Sequence, residues 1–235
     1  MNSYTYGIGN KKSFGTRLKE LSIVIWLIIV TTIISITGFI LTKVYPDSIN
    51  YFALMPSNII QGKYLWTLVT HIFIHAGAFH LLINMFVLFS LGSLCEKIIG
   101  RKRFFWFYLI SGVFAGILSV ALSGLFGNTS LGARIFGQPD IYMVGASGAI
   151  FAIAGLYVLL LPHLRFMIIF LPFFSLPAYI MIPLALFGVW IISILAGWPI
   201  GNVAHFGGFI AGLVYGLYLR TKYKKKVNLL QKMFR

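Results

Sequence analysis

Four polar side chains stand in otherwise apolar stretches: Ser147 in GASGAIFAIAG (145–155), His205 in AHFGGFIAG (204–212), and His80 with Asn84 in HLLINM (80–85). A serine hydroxyl is a weak nucleophile until a base takes its proton across a hydrogen bond of about 2.6–3.2 Å, and histidine is the only base type within these stretches. The 4 acidic residues, Glu20, Asp47, Glu96 and Asp140, fall at the ends of apolar segments or between them. No carboxylate is therefore at hand to orient the imidazole, and the pair would act as a dyad. His80 and Asn84, at i and i+4, project from one helical face. With the Ser147 backbone N–H they would donate to the charge that builds on a carbonyl oxygen in acyl transfer. Each residue also has a plainer role: Ser147 as a small residue at a helix contact, His205 as a packing histidine, His80 and Asn84 as interhelical bonds of about 0.6 kcal/mol each.

The two possibilities differ in whether the chain brings the four together, which depends on the elements that carry them. With 59% hydrophobic and 10% charged residues in 235, the composition is that of a bilayer protein. A span needs roughly 20 apolar residues. The charges leave room for such spans near 22–42, 77–95, 104–125 and 141–162, and for two more between Phe166 and Leu219, separated by the turn GWPIGN at 197–202. This predicts an all-α membrane protein of six helices, with a basic N-terminal segment at 1–21, a six-helix domain at 22–219 and a basic tail at 220–235.

Of the 19 Lys and Arg residues, all but Lys43, Lys63 and Arg134 fall on the side shared by the two termini. The positive-inside bias makes that side cytoplasmic. The net charge of +15 then marks topology and contact with anionic lipid, and nucleic acid is not an expected partner. The lone Cys95 has no disulfide partner. The first span is read as a retained anchor, because its apolar core is longer than a signal peptide's and no A-x-A site follows. His71 and His75 share the i, i+4 spacing of metal ligands, yet no third ligand and no HExxH accompany them; they are read as structural. Neither a metal nor a cofactor is expected.

Spans two, four and six all run inward from the outer surface, and each carries its polar residue near its start. At 1.5 Å per residue, His80, Asn84, Ser147 and His205 fall roughly 5, 10, 9 and 6 Å below that surface, in one layer. Gly208, Gly212 and Gly216 recur every four residues behind His205, and Gly148, Ala152 and Gly155 follow Ser147. Small-xxx-small stripes of this kind let two helices approach closely.

HLLINM, GASG and AHFGGFIAG, in that order on spans two, four and six, resemble the rhomboid family of intramembrane serine proteases over roughly 22–219. The resemblance implies Ser147 as nucleophile, His205 as general base, and His80 with Asn84 as oxyanion donors. It implies transmembrane protein substrates cut in or near their membrane segments, and no metal. It likens segment 43–76 to the family's half-submerged loop, and the fifth span with the GWPIGN cap to its lateral gate. This chain has Trp66-Thr67 where many members have Trp-Arg, and Phe151 where many bacterial members have Tyr. The alternative is a rhomboid-like, non-catalytic factor that binds membrane proteins for quality control. Paired broken spans or midplane charges, the marks of a transporter, are not visible, and aspartyl or zinc intramembrane proteases would need side chains the spans lack. The membrane expected is the cell membrane, with the site toward its extracytoplasmic side; sequence says nothing of oligomeric state.

Overall fold

The computed structural model describes residues 21–168, 171–198 and 200–234. The N-terminal segment assigned to 1–21 lies, but for Leu21, outside the described residues, as does Pro199 of the GWPIGN turn.

Helix α1 (Ile23–Val44) opens on Ser22, whose hydroxyl accepts from the Ile25 N–H. The two preceding amides, Ile23 and Val24, both donate to the Glu96 carboxylate at 2.9 Å. Amides at a helix start have no intrahelical partner, and an unmet donor among apolar groups is costly, so a buried acid is a physical solution. Glu96 is 6% exposed and stands near the end of α2 (Ala78–Ile99). Gly100, at φ +88°, permits the reversal into α3 (Arg101–Phe126). There follow the short α4 (Ser130–Phe136), α5 (Ser147–Leu160), strands β1 (Arg165–Ile168) and β2 (Leu171–Pro177), α6 (Ala178–Ala196), α7 (Asn202–Lys222) and α8 (Lys224–Met233). Between α1 and α2, short helical turns fold the loop 45–77 back onto α3.

Five of these helices, α1, α2, α3, α6 and α7, are long and apolar enough to cross a membrane. The fourth segment differs from the expected 141–162. Its helix has 14 residues, about 21 Å, because residues 141–146 lead into it as an irregular, non-helical segment. Leu54 and Met143 exchange both backbone hydrogen bonds there, and Gly145 at φ +121° occupies a conformation that side chains disfavour. The expectation of an all-helical chain is corrected at 165–177, where β1 and β2 form an antiparallel hairpin. Pro177, at the N-cap of α6, has no amide proton and keeps this apolar run from joining the following helix.

The core is built on α3, α5 and α7. A Cβ added at Gly208 would overlap the Gly148 carbonyl oxygen; one at Gly212 would overlap that of Ala152, and one at Gly155 that of Phe209. The backbones of α5 and α7 are in contact along three turns. Helix α3 closes on the same seam: Ala115 sits 2.9 Å from where a Gly148 Cβ would be, and the Ala204 carbonyl of α7 3.4 Å from it. Replacing Gly208 or Gly212 by Ala forces the helices apart and is expected to cost about 1–3 kcal/mol in unfolding measured in micelles. Gly188 of α6, with nothing within 4 Å of its added Cβ, is the control; Gly188→Ala should be neutral or stabilising by up to about 1 kcal/mol.

Candidate functional site

Ser147 is the first residue of α5 and His205 lies in the first turn of α7. The glycine-mediated contact between these helices brings Ser147 Oγ to 2.8 Å from His205 Nε2. The hydroxyl donates when the neutral ring carries its proton on Nδ1. Phe151, one turn along α5, stacks on the imidazole with centroids 4.7 Å apart and planes at 27°, which fixes the ring orientation. Among the described residues His205 has no carboxylate partner: Glu96 is engaged at the start of α1, and Asp47 and Asp140 are exposed.

His80, in the first turn of α2, approaches from the opposite side. The position a Gly145 Cβ would take is 3.2 Å from His80 Nε2 and 3.8 Å from Ser147 Oγ. Glycine there leaves open the space between imidazole edge and hydroxyl. Ala146 offers α5 no capping side chain, so the first N–H groups of this helix are free of intrahelical partners and its positive dipole end faces the same space. A carbonyl oxygen gaining negative charge would be stabilised there.

Ser147, His205, His80 and Gly145 line one cavity of about 880 Å³, which extends past Met143 to Arg134 and Gln138 of the α4 region. Asn84 stands apart from them. It is 6% exposed, does not line the cavity, and its amide donates to the His80 carbonyl at 3.1 Å. The shared depth inferred from sequence rested on a helix starting at 141; Ser147 instead begins its helix, as His80 and His205 nearly begin theirs.

Several polar residues around the site have roles that sequence reading missed. His71 and His75, read as structural, both hold the segment before Ser147: the His71 carbonyl accepts from Gly145 N–H, and His75 Nε2 from Ala146 N–H. Among the described residues no three His, Cys, Asp or Glu side chains are grouped so that they could hold a metal ion. Asn202 at the start of α7 donates to Ser193 Oγ of α6 at 2.6 Å, and Trp190 Nε1 of α6 to the Ile135 carbonyl of α4 at 3.1 Å, so α6 is pinned beside the cavity. In place of an arginine, Thr67 binds the Tyr64 carbonyl. The loop is further braced by Trp66 Nε1 on the Tyr51 carbonyl, Thr70 on that of Phe52, and Tyr142 on Asn50. Of these, only Asn202 carried a local signal, a polar side chain at a helix start beside His205.

Residues 62–222 match the family model described as the Rhomboid domain. The chain is 27% identical over 183 residues to the Rhomboid protease GlpG of Haemophilus influenzae, covering 77% of this chain and 83% of that protein. It is 35% identical over 166 residues to RHOMBOID-like protein 1 of Arabidopsis thaliana, covering 70% and 37%. It is 31% identical over 147 residues to the mitochondrial presenilin-associated rhomboid-like protein of Homo sapiens, covering 62% and 36%. The chain thus spans little more than a third of the length of the plant and human proteins. With a domain match over most of its length and several helices apolar enough to cross a bilayer, the chain is an integral, multi-pass membrane protein that belongs to the rhomboid family.

Proposed function

We propose that the chain is an intramembrane serine endopeptidase that cuts transmembrane protein substrates in or near their membrane segments. The observation that carries this is the 2.8 Å hydrogen bond between Ser147 Oγ and His205 Nε2 in the lining of a cavity of about 880 Å³. Ser147 Oγ attacks the scissile carbonyl carbon while His205 Nε2 takes its proton. The carbonyl electrons move to oxygen, where the Ser147 N–H and His80 receive the charge. Collapse of the intermediate expels the amine, which takes the proton from His205 and leaves an ester on Ser147. Water then attacks the ester carbon, giving up a proton to His205; the second intermediate collapses as His205 returns that proton to Ser147 Oγ, which frees the carboxylic acid product and regenerates the serine. Asn84 joins the donors once its amide turns from the His80 carbonyl.

The same proposal treats α5 as the fourth of six spans, a short one with ten of its 14 residues buried by neighbours and its first turn opening into the cavity. Both termini are then cytoplasmic, the cavity opens to the extracytoplasmic side of a cell membrane, and lipid surrounds the apolar outer faces of α1, α2, α3 and α6. The segment 22–219 is the protease domain, and the tail 220–235, with α8 on it, rests on anionic lipid.

Reconstituted in liposomes with a transmembrane substrate, wild type should cleave, while Ser147→Ala and His205→Ala should fall to background. A fluorophosphonate should label wild type and leave Ser147→Ala unlabelled. Equal cleavage by all three proteins overturns the assignment. His80→Ala should lower kcat by about 10²–10³, and Asn84→Ala by about tenfold, since its amide is already engaged. Gly145→Ala, which fills the gap and strains a φ of +121°, should abolish labelling in protein that remains folded by near-UV circular dichroism.

A further inference from the structure

The backbone just ahead of Ser147 hangs from loop 45–77 by two consecutive amides. Gly145 N–H donates to the His71 carbonyl at 2.9 Å, and Ala146 N–H to His75 Nε2 at 3.4 Å. His75 is 3% exposed, and its other nitrogen, Nδ1, lies 3.0 Å from the hydroxyl of Ser35 on α1. That hydroxyl donates to the Phe73 carbonyl at 3.1 Å.

One arrangement of protons satisfies all these contacts. An amide has only a proton to give, so Nε2 must hold the lone pair. The ring proton is then on Nδ1 and is donated to Ser35 Oγ, whose own proton goes to Phe73. The hydrogen bonds run one way, from Ala146 through His75 and Ser35 to the loop. The same ring meets His80 edge to face, with centroids 5.0 Å apart and planes at 71°.

We propose that His75 is a positioning residue: a neutral imidazole, protonated on Nδ1, whose Nε2 holds the Ala146 amide and so fixes the direction from which Ser147 enters the site. Its catalytic consequence rests on Ser147 as the nucleophile. The hydroxyl is one residue beyond the tethered amide, while its acceptor ring is held separately by Phe151. Rotation of the Ala146 peptide swings the hydroxyl against a fixed base, and a misplacement of about 1 Å costs up to about 10² in rate.

A histidine that merely fills space between α1 and the loop would need only its Nδ1 anchor to Ser35. Two substitutions separate these roles. The amide of His75→Asn reaches where Nδ1 stands and keeps the Ser35 anchor. That of His75→Gln reaches where Nε2 stands and can accept from Ala146. In micelles, fragment-resolved hydrogen exchange reads the Ala146 amide, and kcat and KM are measured on the same preparations. His75→Asn should speed Ala146 exchange by about tenfold or more and lower kcat about tenfold with KM changed less than about twofold. His75→Gln should bring both within about threefold of wild type. An Ala146 amide that exchanges as slowly in His75→Asn as in wild type, or a His75→Gln no better than His75→Asn, overturns the proposal. So does an unchanged kcat in His75→Asn. Should either variant not fold, ¹⁵N-histidine spectra of the wild type decide: protonated Nδ1 with bare Nε2 at His75 is required, and the opposite tautomer or an imidazolium overturns it. A wild type without proteolytic activity would sink the proposed function, while exchange and tautomer still judge the tether.

Discussion

Backbone contact between α5 and α7 is the constraint on which the site depends. Two helices packed through ordinary side chains stand about 8–10 Å apart, whereas α5 and α7 meet backbone to backbone, which sets the Ser147 hydroxyl and the His205 ring at hydrogen-bond distance in their first turns. Gly148, Gly155, Gly208 and Gly212 remove the intervening atoms, and the two side chains that remain at the upper end of the seam are those of Ser147 and His205. Phe151 then holds the imidazole flat against α5. In lipid such a seam is favoured by dispersion between close surfaces, because tails are as apolar as the helices and exclusion from water contributes little.

The remaining polar groups are arranged so that few are left without partners, and each arrangement also locates a backbone. Glu96 satisfies two amides at the start of α1 and joins it to the end of α2. Ser35 and His75 satisfy one another and join α1 to the segment before Ser147. Asn202 and Ser193 do the same for α7 and α6. Helices whose outer faces have no preference for one another are thereby fixed at a small number of polar points.

The four residues singled out from sequence were legible because apolar surroundings make a lone polar side chain conspicuous, and the glycine repeat named which helices would approach. Three of the four line the cavity; Asn84, on the expected helical face, turns its amide to the His80 carbonyl, a choice of rotamer that spacing does not encode. The non-helical run at 141–146 was hidden because the partner of Met143, Leu54, is far away in sequence. The run from Phe166 to Pro177 was hidden for another reason: a short stretch that is apolar but for Ser175 has no periodicity to distinguish strand from helix. His75 was passed over because its partners are 40 residues earlier and 71 later, and i, i+4 spacing to His71 drew attention to a metal instead.

The cap on α1 bears on how the molecule is made. Ribosomes deliver α1 first, yet the carboxylate that satisfies its leading amides belongs to residue 96, translated some seventy positions afterwards. Until α2 has been threaded through the bilayer, the beginning of α1 has to find water or headgroups for those amides, which keeps it near the interface and free to slide. Arrival of Glu96 ends that freedom, so the depth of α1 is settled by the completion of α2.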